Sequence, residues 1–309
     1  MKPDRTDELV FDDESLDRVL YGADSPGSTP VEVSLPIKEL MDDLRASAAD
    51  PEVSIAKIAA IFDSGVDLHD PVYRELLAMM RKFVPDRPRP VLHTDISPLG
   101  RPLEASWRFA RGRSDSGLFV SAGTLMYRWH EHNNRFEEAR AVLEELIKHH
   151  MARGDRGREA TCRNNLGFEF LYERKWEEAL PAFESAAALF GSPDVGDVSN
   201  YLNAIANSQT CRFELRDYGD IDSFEKEVLQ TARDMRGNGS WHERKPLILA
   251  ARIAELRGRY EQAIARAKAA IESSRNSGTS WENSDREYLE QLESRLRPPS
   301  GDQVPSADS

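Results

Sequence analysis

The chain lacks most of the features that announce an activity. Of 309 residues only two are cysteine, Cys162 and Cys211. That excludes a disulfide framework and a cysteine-rich zinc site, and it makes a reducing, cytoplasmic setting the default. No apolar stretch approaches the roughly 20 residues that span a bilayer. The opening "MKPDRTDELVFDDESL" is acidic from its fourth residue and has no secretory apolar core. Positive charge is in deficit. A net charge of −13 argues against general binding to nucleic acid or anionic membrane. Catalytic glycine patterns are missing too: no phosphate loop followed by lysine, no G-x-G-x-x-G after a strand, no G-x-S-x-G. "HEHNN" and "WHERK" hold His-Glu pairs that never become H-E-x-x-H. His130 and His132 point to different sides of a helix, and His149-His150 closes one, so these histidines read as solvated or capping. The chain is expected to be non-enzymatic, without metal or cofactor.

What is present favours helix. β-Branched runs are few, and Ala, Glu, Leu and Arg dominate the central half. A composition of 39% hydrophobic and 31% charged residues allows a core, but one spread thinly over much surface. Residues 1–33 carry nine acidic and three basic side chains, a net of −6, and read as a disordered acidic arm. Residues 34–84 read as an N-terminal helical region of three short helices. Asp50-Pro51 and Asp70-Pro71 each supply an N-cap followed by proline, and Gly65 closes the second helix. Five prolines between residues 84 and 102 mark 85–114 as a linker or a loop laid over the surface. The tail at 298–309 reads as disordered.

Between linker and tail lies a repeat over residues 115–277. "NRFEEARAVLEEL", "RKWEEALPAFESA" and "GRYEQAIARAKAA" each place an aromatic before an acid, then an alanine three positions after the aromatic. From Phe136 to Trp176 is 40 residues, and from Trp176 to Tyr260 is 84, twice 42. A degenerate copy with Tyr218 fills the gap, with Ile221 where the others have alanine. Each unit accommodates two helices, about Glu159–Arg174 and Glu177–Phe190 in the second. Helix pairs this short bury their apolar stripes only by stacking on neighbours. Gly167 and Ala179 are then small because the two helix axes cross there, and Pro181 is tolerable near a first turn. Residues 278–297 read as a capping helix with Trp281, Tyr288, Leu289 and Leu292 facing inward. Cys162 and Cys211 read as small packing residues.

This pattern resembles the tetratricopeptide repeat (TPR) family. Leu166, Gly167, Phe170, Ala179, Phe183 and Ala186 match its six most regular positions. The fourth unit matches with Ala251, Ala254, Ala263, Ala267 and Ala270, and the first with Tyr127, Ala139 and Leu143. The spacing near 42 is similar to the longer-helix variety found in kinesin light chains, polarity adaptors and bacterial regulators. The resemblance implies an all-α, right-handed superhelical solenoid whose first helices line a concave groove. It also implies a protein-interaction module or scaffold that takes an extended or helical peptide of a partner protein.

On that implication the groove side chains are Arg128, Asn165, Phe168, Tyr172, Asn203, Asn207, Lys245 and Arg252. Glu169, Thr124, Leu125, His132, Thr210, Ile248 and Leu249 share the register. Asn165 and Asn207 fall 42 residues apart, at equivalent places. Their amides suit a peptide backbone, and the cations suit an acidic peptide. The alternative is structural: Asn164 caps a turn and Asn165 bonds to a neighbouring helix. The acidic arm, with apolar anchors in "DELVFDDESLDRVLY", is also a candidate occupant of its own protein's groove. A ligand-responsive regulator is the second functional class. "IAKIAAIFDSGVDLHDPVYRELLAMM" has loose helix-turn-helix spacing, but its acids are wrong for phosphate contact.

Overall fold

The computed structural model describes residues 35–47, 49–64, 66, 68–84, 94–236, 241–276 and 282–296. Among them the fold is all-helical, with thirteen α-helices and no strand. The arm at 1–33, Gly65, Trp281 and the tail from 298 lie outside the described residues. The described chain divides into two compact units, residues 35–174 and 175–296.

In the N-terminal unit, α1 (Leu35–Ala46), α2 (Pro51–Asp63) and α3 (Asp70–Met80) precede a 3₁₀ turn, Ser97–Leu99. Asp50 caps α2 as its residue type dictates, its carboxylate accepting the Val53 amide N–H at 3.1 Å. Asp70 does not cap α3. It is the first helical residue, preceded by His69, which makes no side-chain cap bond. There its charge still favours the positive end of the helix. The acids of the loose helix-turn-helix are matched by cations: Asp63 lies 3.0 Å from Arg101, Asp70 3.8 Å from Arg113 and Glu75 2.7 Å from Arg45.

The expected linker at 85–114 is corrected in its second half. The 3₁₀ turn runs into α4, Gly100–Arg111, which buries Leu103, Trp107 and Ala110. Pro102 sits in the first turn, where an amide has no intrahelical partner, so proline does not oppose the helix. Ile96 and Leu99 are buried as well. The indole N–H of Trp129 donates to the Ile96 carbonyl at 3.0 Å, and a Cβ on Gly100 would strike that indole.

Three longer helices complete the unit: α5 (Ser116–His132), α6 (Phe136–Arg153) and α7 (Arg156–Tyr172). Asp115 and Asp155 cap α5 and α7. Asn134 and Gly154 turn the chain in the left-handed region at φ 56° and 68°. Successive helices pack in order, with α3 and α4 both against α5, then α5 on α6 and α6 on α7. At Gly123 an added Cβ would lie 2.9 Å from both Trp107 and Leu146. A small residue is required there because α4 and α6 press on α5 from two sides. By helix ends α5 and α7 are offset by 40 residues, which sets Tyr127 level with Gly167 rather than Phe170. The first repeat therefore departs from the expected match at Tyr127.

The C-terminal unit holds α8 (Trp176–Phe190), α9 (Val198–Glu214), α10 (Ile221–Arg236), α11 (Trp241–Leu256), α12 (Tyr260–Asn276) and α13 (Glu282–Leu296). Pro181 is the sixth residue of α8, one turn deeper than expected, so the helix forgoes a bond there; the residue is exposed. Ala250, Ala251, Ala254, Ala263, Ala267 and Ala270 are all fully buried. This alanine seam lets α11 and α12 approach closely. Leu292 of α13 closes over Ala254, Ala263 and Ala267, with Tyr288 and Leu289 beside it. Asp285 clasps three elements: its carboxylate takes two N–H bonds from Arg244, at 2.7 and 2.6 Å, and the Ser274 hydroxyl at 3.0 Å.

Candidate functional site

The expected groove residues fall four in each unit, and most are less available than the sequence implies. In the N-terminal unit Arg128 is 4% exposed and Phe168 6%, so neither projects outward. Arg128 lies over its neighbour Tyr127, 6.0 Å from the ring centroid. Asn165 is half-buried and donates its amide N–H to the Tyr127 hydroxyl at 3.0 Å. Tyr172 is half-buried between Phe136 and Phe168.

In the C-terminal unit Asn203 is 9% exposed and Asn207 fully buried. The Lys245 ammonium donates to Oδ1 of Asn207, while Nδ2 has no hydrogen-bond partner among the described residues. Arg252 lies 3.6 Å from Glu214 and 5.9 Å from the centroid of the Phe213 ring.

One regularity emerges from these contacts. Tyr127 to Asn165 joins α5 to α7, and Asn207 to Lys245 joins α9 to α11, each across 38 residues of chain. Each asparagine thus ties together two helices that are next but one in the chain, within one unit. The structural alternative for Asn165 therefore holds, and no asparagine ladder faces outward within either unit. Asn164 is 2% exposed in mid-helix, its Oδ1 has no hydrogen-bond partner among the described residues, and it caps no turn.

Around Tyr127 the N-terminal unit holds a group of titratable side chains. Glu169 is 1% exposed, and its Oε2 has no hydrogen-bond partner among the described residues. Burial, then the nearby Glu131, pushes its carboxyl up to about 9, against the pull of Arg140. Burial likewise raises the Tyr127 hydroxyl. The histidines depart from expectation. His130 is 7% exposed and His150 2%, and burial lowers both, His150 to about 4. His149 meets the Ser116 hydroxyl at 2.8 Å and stacks on Phe119. His130 and His150 are therefore packing elements rather than solvated side chains, and His149 is partly buried. Cys162 and Cys211 are buried thiols pushed up by burial to about 12 and about 11, the profile of inert packing residues. Among the described residues no group of three or more His, Cys, Asp or Glu could hold a metal ion. No described helix is long and apolar enough to cross a membrane.

The N-terminal unit also contains a cleft of about 310 Å³ between α3 and α5. Leu77, Leu118 and Leu125 form its floor, and Arg74 and Arg81 stand among its walls. Leu125 belongs to the expected groove register, and here α3 faces it. The sequence missed this arrangement because α3 carries no repeat signature that would align it against α5.

No family model matches the chain, and no curated protein matches it. Among solved structures the chain is similar to the crystal structure of BtubC (BKLC) from P. vanneervenii. That likeness has 15% identity, spans 87% of this chain and 95% of that one, and has a TM-score of 0.44.

Proposed function

We propose that the chain is a TPR-type protein-interaction module without enzymatic activity, and that the C-terminal unit holds the peptide-binding face. The observation that carries this reading is a row on α11. Lys245, Ile248 and Arg252 follow one another at i, i+3 and i+7, and all are partly exposed. Beside the row, Phe213 of α9 lies under Arg252. Two cations flanking apolar surface fit a peptide that carries acidic residues next to an aliphatic or aromatic one.

The test is selection of a random peptide display library on the intact chain, followed by titration of the enriched peptides. Acidic peptides are expected, with affinity reduced at least tenfold by Arg252→Glu and by Lys245→Glu while the circular dichroism spectrum is kept. Enriched peptides that bind these variants as well as the parent chain would move the site to another surface.

A further inference from the structure

We propose that residues 10–21, "VFDDESLDRVLY", dock in the cleft between α3 and α5 of their own chain. The cleft has three leucines for a floor and two arginines in its walls, and none of its described lining residues is acidic. Arg74 is half exposed and meets Asp115. A guanidinium has five N–H donors, so that pairing does not exhaust it. The segment is the complement: four acidic side chains against one basic. Wound as a helix, it sets Leu16, Val19 and Leu20 on one side, with Asp13 and Asp17 one turn apart along the flank. Apolar anchors meet the leucine floor while carboxylates meet the arginines.

The connection has the length to permit this. Thirteen residues, 22–34, separate the segment from α1, and such a stretch reaches at most about 45 Å. α1 packs on α2 and α2 on α3; at roughly 10 Å per packed pair the distance to cover is about 20 Å. A tether of that size gives an effective concentration on the order of millimolar, so weak contacts suffice. The proposal concerns the N-terminal unit alone and does not rest on the peptide face of α11.

The experiment uses the full chain carrying Leu20→Cys and Ala78→Cys, Ala78 being exposed on α3. The native Cys162 and Cys211 are buried and react slowly. A short bismaleimide should link positions 20 and 78 within one chain, read on a denaturing gel and by peptide mass spectrometry. Adding Arg74→Glu and Arg81→Glu should lower the yield at least fivefold, and Asp13→Arg with Asp17→Arg on top should restore it. That restoration separates docking from mere damage to α3. Absence of the link in a chain that melts as the parent does would overturn the proposal. A link formed only between two chains would overturn docking in cis and assign the cleft to a second copy. A yield indifferent to charge reversal would overturn the arginine–carboxylate pairing on which the docking rests.

Discussion

Glu169 illustrates how a single carboxyl group couples this fold to pH. It is buried beside Glu131 and Tyr127, so its proton is held up to about 9, against an ordinary value of 4.5. Arg140 and Glu173 are the other charges acting on it. The folded chain keeps the proton while the unfolded chain releases it. Stability from this group is therefore complete below pH 4.5, declines as pH rises, and levels off above about 9. Glu169→Gln removes the titration. The variant should match the parent near pH 4 and exceed it at pH 7 by on the order of 1–3 kcal/mol, measured by urea unfolding across pH. Equal slopes of stability against pH in the two proteins would refute the assignment. Asparagine reads differently at this scale. The sequence places Asn165 and Asn207 in equivalent positions, but periodicity does not say whether a side chain meets a ligand or a neighbouring helix. That depends on Tyr127 and Lys245, each 38 residues away, and no local spacing pairs them with the asparagines.

Among elements, the C-terminal helix α13 is held by polar contacts as much as by apolar ones. Asp285 is 2% exposed and bonds both Arg244 of α11 and Ser274 of α12. Replacing it by alanine leaves a mostly buried guanidinium without its carboxylate. A loss of about 3 kcal/mol is expected in thermal or chemical unfolding. Amide exchange should quicken in α11, α12 and α13 ahead of α8. Unchanged exchange there would show that Leu292 and its alanine pocket hold the helix without the clasp. Legibility also varied by element. The repeat helices could be placed because apolar spacing, aspartate caps and turn residues agree along them. α4 was hidden because prolines around it dominate a window whose apolar residues, Leu99, Leu103, Trp107 and Ala110, have helical spacing. Pro102 reads as a breaker in sequence, but in the first turn it breaks nothing.

For the whole molecule, local periodicity carried the all-α class, and contacts far apart in sequence carried everything the class leaves open. The side-chain registers of α5, α7, α9 and α11 were legible, but their exposure was not. Leu125 and Arg128 lie in the outward register of α5 and yet are 1% and 4% exposed. α3, from a region without the repeat signature, packs on α5 and lines the cleft whose floor includes Leu125. Division into two compact units gives the peptide and cross-linking experiments separate addresses: charge reversal on α11 should leave the 20–78 cross-link in place.

The indole of Trp129 has an optical consequence. It is 6% exposed, bonded to the Ile96 carbonyl and covered at Gly100, so its surroundings report whether residues 96–100 are seated. Gly100→Ala forces a methyl group into that ring. Tryptophan emission should shift to longer wavelength and become open to quenching by acrylamide, whereas Trp129→Phe should abolish the difference. Among its five tryptophans the chain thus carries a fluorophore for following the seating of residues 96–100 on α5, with no label added.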